Sequence, residues 1–140
     1  YRSYLPGITP HDLLPGVASF LRTAHDRGIR LGVGSASRNA GVVIESLGVG
    51  SLLDALGDGH AVHNTKPAPD LFVWVAGRLD VPVSRCVVFE DAEAGIDAAR
   101  AAGMHSVGIG PAPRVGHADL RCDGLHAITV DDVLVLFDVV

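Results

Sequence analysis

The chain has 140 residues, 48% of them hydrophobic, and a formal net charge of -5 at pH 7. This length and apolar content suit one globular domain with a real core. The acidic balance and scattered cationic side chains form no basic stripe, which excludes a surface built for nucleic acid or an anionic membrane and favours a small metabolite as partner.

Short apolar runs alternate with longer helical patterns along the chain, without an internal sequence repeat. After Leu14-Pro15-Gly16, the helical spacing of Val17, Phe20, Leu21 and Ala24 predicts a helix that stops at Gly28. Ile29 to Val33 reads as a strand. Ser37 can cap a second helix that runs through Leu47, and Leu53 to Leu56 reads as a short strand. A loop from Gly57 to Ala68 leads into a third helix, Pro69 to Leu79. Arg85 to Phe89 reads as a strand, Ala92 to Ala102 as a helix stopped by Gly103, and His105 to Ile109 as another strand. Gly110 to Asp123 reads as a loop, Leu125 to Ile128 as a weak strand, and a final helix starts at Asp131. The alternation predicts an α/β fold with a mostly parallel, Rossmann-like sheet and helices on both faces.

Cys86 and Cys122 lie far apart with neither a CxxC nor paired-His spacing, so neither a disulfide framework nor a zinc site is expected. A reducing, cytoplasmic setting follows as the simplest expectation. No apolar run reaches the roughly 18 residues of a membrane span. His60 and His63 fall in the Gly57 to Ala68 loop and read as solvated residues, and Trp74 reads as core.

Ligands of open parallel sheets bind beyond the carboxyl ends of the strands. Three segments fall there: Gly34-Ser35-Ala36-Ser37-Arg38-Asn39, Lys66-Pro67-Ala68-Pro69-Asp70, and Glu90-Asp91. Backbone N–H groups and hydroxyls around Ser35 can reach an anion at a helix start, although Ser37 also suits an ordinary cap. Pro67 and Pro69 restrict where the Lys66 stem can go. Adjacent carboxylates at Glu90 and Asp91 can face one Mg²⁺, or simply favour a helix N-terminus. A hydroxyl, a lysine and a carboxylate pair at one sheet edge suit phosphoryl transfer, in which negative charge on the transferring group must be neutralised.

The order G-S-A-S-R-N, K-P-A-P-D and F-E-D-A-E-A-G-I-D-A-A resembles the second, third and fourth motifs of the haloacid dehalogenase superfamily, and within it the β-phosphoglucomutase group. The resemblance runs from Tyr1 to about Gly110 and includes T-P-H-D-L-L-P-G, where such enzymes return from cap to core. It implies that residues 1–13 end a cap and return linker, and that 14–140 form the core. It further implies that Ser35 and Lys66 hold the transferring phosphoryl group and that Glu90 and Asp91 bind Mg²⁺. Ala36 lies within the phosphate-binding segment, and Ser37, Arg38 and Asn39 match the part that grips a second phosphate of a sugar substrate. Ala92 stands where the family often has Ser.

The family's first motif, D-x-D-G-T, and its helical cap have no counterpart in the sequence. The chain is therefore expected to be the C-terminal part of a longer enzyme and inactive alone. By resemblance, the absent strand belongs between Ile29 to Val33 and Arg85 to Phe89. For the intact enzyme the expected reaction is the interconversion of β-glucose 1-phosphate and glucose 6-phosphate through an aspartyl-phosphate. The alternatives are a small-molecule phosphatase on the same core and a non-catalytic domain that binds anions or a partner. Oligomeric state is not legible.

Overall fold

The computed structural model describes residues 16–35 and 50–137. Helix α1 spans Val17–Asp26 and turns Val17 and Ala24 inward while Arg22, Thr23 and Asp26 face solvent. The three-residue strand β1, Gly32–Gly34, pairs in parallel with β2, Ala55–Gly57, with Val33 opposite Leu56. Helix α2, Asp70–Leu79, packs on that pair and buries Leu71, Phe72, Val75 and Ala76.

A second parallel ladder contains β3, Val87–Glu90, β4, His105–Ile109, and β5, Leu120–Cys122, in that order. Between β3 and β4 runs helix α3, Glu93–Ala101, with Ile96, Ala98 and Ala99 fully buried. A short helix α4, Ala112–Val115, precedes β5, and α5, Val130–Leu134, closes the described chain with a capping box between Thr129 and Asp132. Period-two alternation on β3 separates two cores. Val88 packs with Phe72, Ala98 and Met104, whereas Val87 and Phe89 pack with Phe20, Val107 and Val133. Helices therefore cover both faces of the parallel sheet, as the alternating pattern predicts.

Among the described residues, β1 pairs only with β2, and β3 pairs on one side only, with β4. A cleft of about 670 Å³ separates these pieces, walled by Val33 and Gly34 on one side and Val88 and Phe89 on the other. Val87, Val88 and Phe89 are only half-buried, although side chains in the middle of a covered sheet are normally enclosed on both faces.

Several predicted boundaries move, each for a local reason. The strand expected at Ile29 to Val33 forms only from Gly32, because Asp54 draws off Leu31: its carboxylate accepts the Leu31 N–H at 2.8 Å, and its N–H donates to the Leu31 carbonyl at 2.6 Å. The next strand slides from Leu53–Leu56 to Ala55–Gly57, in register with β1. The region expected as a loop from Gly110 to Asp123 contains α4 and β5, with β5 joining the outer edge of β4. The weak strand expected at Leu125 to Ile128 is instead a 3₁₀ turn over Leu125–Ala127, closed by the Ala127 N–H on the Gly124 carbonyl at 3.0 Å. The helix expected from Ser37 to Leu47 lies outside the described residues. No helix among those described is long and apolar enough to cross a membrane.

Ile96 is 0% exposed where α3 meets the sheet. Ile96→Ala should destabilise the chain by about 2–5 kcal/mol, from lost burial plus the cavity left behind. Urea unfolding followed by circular dichroism measures this; a change below about 0.5 kcal/mol, the range of an ordinary surface substitution, would remove α3 from the core.

Candidate active site

The carboxyl ends of β1 and β3 meet at one edge, and Lys66 spans them. Its Nζ donates to the Gly34 carbonyl at 3.4 Å and to Glu90 Oε2 at 3.2 Å. The same ammonium lies 4.8 Å from the centroid of the Phe72 ring, within reach of a cation–π attraction.

The loop that carries Lys66 is braced locally. Asn64 Nδ2 donates to Asp70 Oδ2 at 3.1 Å, tying the loop to the first turn of α2, and the Ala68 N–H closes a turn on Thr65 at 3.0 Å. The Lys66–Pro67 peptide bond is cis. Proline at 67 and 69 fixes two φ angles in the segment, so the ammonium is carried by a stiff stem base.

Glu90 ends β3 and is 3% exposed. Its Oε1 accepts the N–H groups of Asp91 and Ala92, each at 3.1 Å, while Oε2 faces Lys66. One carboxylate thus satisfies two backbone donors at the strand-to-helix turn and compensates one buried cation. The reading of this acidic residue as a partner of the strand-to-helix turn fits Oε1, while Oε2 pairs with Lys66. Asp91 is half-buried and borders the cleft.

Ser35 is 1% exposed, and its N–H donates to the Gly57 carbonyl at 2.8 Å, continuing the β1–β2 ladder past Gly34. The structure therefore brings Ser35, Lys66, Glu90 and Asp91 to one sheet edge. Ala36, Ser37, Arg38 and Asn39 lie outside the described residues.

The other candidates recede. His60 and His63 are exposed, and no group of three or more His, Cys, Asp or Glu side chains among the described residues could hold a metal by itself. Burial pushes the Cys86 thiol up, and it pushes Cys122 up against smaller lowering effects from a Gly124 backbone hydrogen bond and the Arg121 charge. Both thiols stay protonated at neutral pH and are poor nucleophiles. Trp74 is half-buried, with the Arg78 guanidinium 5.7 Å from its ring centroid.

Two participants escape a reading of motifs, the Gly34 carbonyl and the Phe72 ring, whereas Gly95, which the sequence marks as a small residue favouring close packing of its helix on the sheet, packs on Glu90 itself. Composition did carry one further signal. Lys66 is the only lysine in the sequence, every other permanent side-chain cation being arginine.

The family model for haloacid dehalogenase-like hydrolases matches residues 1–103. The chain is 38% identical over 120 residues to a β-phosphoglucomutase of Bacillus subtilis, covering 86% of this chain and 53% of that protein. It is 45% identical over 83 residues to a fructose-1-phosphate phosphatase of Escherichia coli, covering 59% of this chain and 44% of the relative. The crystal structure of a β-phosphoglucomutase from Clostridium difficile superposes with a TM-score of 0.89 at 35% identity, over 94% of this chain and 59% of that one. The chain spans about half the length of the curated relatives it matches.

The Lys66 and Glu90 side chains are 16% and 2% exposed, so their pairing is poorly screened by solvent. Lys66→Met should destabilise the chain by about 3 kcal/mol, because it leaves a buried carboxylate without its cation. Adding Glu90→Gln, which keeps an acceptor for the backbone N–H groups, should recover most of that loss. Strict additivity of the two changes in denaturant titrations would show that the pair is not coupled.

Proposed function

The chain belongs to the haloacid dehalogenase-like hydrolase family, and on that premise we propose that the intact protein transfers a phosphoryl group on a sugar phosphate, with β-phosphoglucomutase as the favoured reaction. The observation that carries the reading is Lys66 Nζ set between the Gly34 carbonyl and the Glu90 carboxylate, with Ser35 buried one residue beyond Gly34. A phosphoryl group entering at this edge meets a cation already aimed by two fixed acceptors. Such preorganised charge stabilises the transition state without reorganisation at the moment of transfer.

In this reading the Ser35 hydroxyl and the Lys66 ammonium bind oxygens of the transferring group. Ser37, Arg38 and Asn39, with the Ala36 backbone, grip a second phosphate, which gives the mutase its means of holding a bisphosphate. The nucleophilic and acid–base aspartates come from a strand that fills the cleft between β1 and β3, in the part of the longer protein that this chain does not span. Transfer to an aspartate breaks the bond between phosphorus and the sugar oxygen and forms an acyl phosphate, and the acid–base partner supplies the proton that the leaving oxygen takes up.

The donors at hand fit Mg²⁺ in part. Asp91 offers a half-buried carboxylate at the cleft, an oxygen ligand of the hard type this ion prefers. Glu90, expected from the resemblance to bind the ion as well, also accepts hydrogen bonds from Lys66 and from the Asp91 and Ala92 N–H groups. In this reading Asp91 and Glu90 would together hold Mg²⁺, and Glu90 would in addition position Lys66 and the turn that carries Asp91. When bound, Mg²⁺ supplies charge neutralisation for the phosphoryl oxygens.

A phosphatase on the same core is the second reading, favoured by the 45% identity to a fructose-1-phosphate phosphatase. Arg38 separates the two. Arg38→Ala in the full-length protein should depress isomerisation of β-glucose 1-phosphate far more than hydrolysis of a phosphate monoester, as followed by ³¹P NMR with a trace of bisphosphate. Equal losses would favour the phosphatase.

Lys66→Ala should lower kcat by about 10²–10³-fold, the usual cost of removing one transition-state donor. An unchanged kcat would take Lys66 out of the site. The 140-residue chain by itself should show no turnover in the same assay, and robust activity would overturn the need for the additional strand.

A further inference from the structure

We propose that Gly95 is a positioning residue, matched in volume to Glu90, whose missing side chain leaves the space in which the Glu90 carboxylate holds Lys66. A Cβ placed on Gly95 would lie 2.0 Å from Glu90 Cγ, 2.1 Å from Cδ and 2.3 Å from Oε2. Real Cβ atoms essentially never approach other heavy atoms so closely. No positive φ is recorded for Gly95, so the backbone does not demand glycine there. Glycine inside a helix costs about 1 kcal/mol relative to alanine. The steric contact with Glu90 accounts for the residue where backbone conformation does not.

The clash has no easy escape. Cγ sits too near the backbone for a tip rotation to clear it, and Oε1 is held by the N–H groups of Asp91 and Ala92. Nor can α3 lift away from the strand cheaply, since Ile96, Ala98 and Ala99 on the same helix are each 0% exposed. The least costly response to a methyl group at 95 is a new Glu90 rotamer that withdraws Oε2 from Lys66. Lys66 would then keep the Gly34 carbonyl and the Phe72 ring but lose its carboxylate partner. A one-methyl change on a helix that never touches Lys66 would thus re-aim its ammonium. The importance of that aim to chemistry rests on the phosphoryl-transfer reading; the geometric linkage does not.

Because Lys66 is the only lysine, ¹³Cε-lysine labelling of this chain gives one side-chain resonance that reports its surroundings without assignment. In the Gly95→Ala variant that resonance should move from its wild-type position and thermal stability should fall. Glu90→Ala, which removes both the carboxylate and the Cγ that a methyl group at 95 would meet, should by itself displace the resonance and lower the melting temperature. Added to Gly95→Ala it should move the resonance little further, because the carboxylate has already left Lys66, and it should cost less stability than it does alone, because it also removes the clash. That non-additivity is the expected result, and a merely structural glycine would not produce it. An unmoved resonance in Gly95→Ala would overturn the proposal, as would strict additivity of the two changes in both readouts. Should Gly95→Ala fail to fold, Glu90→Ala added to it must restore folding by removing the clash; continued failure would also overturn the proposal. No substrate enters the measurement, so its outcome is independent of which reaction the intact protein performs.

Discussion

The Lys66 ammonium is the tie between two pieces of sheet that otherwise share no strand pairing among the described residues. It touches the last carbonyl of β1 and the last side chain of β3. A cation between a carbonyl and a nearly buried carboxylate is stable only while both acceptors remain in place, because desolvation penalises a lone charge of either sign. The positions of the Gly57 to Ala68 loop, the β3-to-α3 turn and the β1 terminus are therefore linked. Moving the Lys66 loop or the β3-to-α3 turn separates the ion pair, and moving the β1 terminus costs the ammonium its carbonyl acceptor.

That linkage explains how a sheet in two pieces still presents one edge. The cleft of about 670 Å³ lies between β1 and β3, and among the described residues each has an unpaired border there. Open edges with apolar walls are a liability for a soluble domain. The helices α1 and α2 bridge the gap from opposite faces, through Phe20 against Phe89 at 5.3 Å and through Phe72 in the cluster that includes Val88. The chemistry-bearing residues gather at one end of this cleft, so whatever fills it also meets Glu90 and Asp91.

Legibility in the sequence followed the strength of the local signal. Helices α1, α2 and α3 carry apolar residues at helical spacing and end at recognisable stops, and all three form within a residue or two of expectation. Strand β5 was hidden because Leu120-Arg121-Cys122 is three residues long with a charged centre, and it becomes a strand only because β4 offers it an edge. At Leu125 to Ile128 the apolar content misled in the other direction, since a turn closes there before any partner strand is reached. Ser35, Lys66, Glu90 and Asp91, singled out by residue type, come to one sheet edge. Gly95 was legible as a small residue that lets its helix pack closely on the sheet, but not as the neighbour of the Glu90 side chain, and Phe72 was not legible beside Lys66, because phenylalanine in a core has a commoner explanation.

The choice of lysine at 66 follows from the shape of the space. The ammonium must satisfy a carbonyl, a carboxylate oxygen and an aromatic face at once, at 3.4, 3.2 and 4.8 Å. A compact cation with three rotatable donors can divide itself among partners in different directions, whereas a guanidinium commits its donors to one plane and prefers a two-point grip on a single partner. Glu90 offers no such grip, since its second oxygen is already taken by the Asp91 and Ala92 N–H groups. Charge alone would allow arginine, which the chain uses for every other permanent cation. The donor geometry does not, and so the lone lysine stands where a point charge is required.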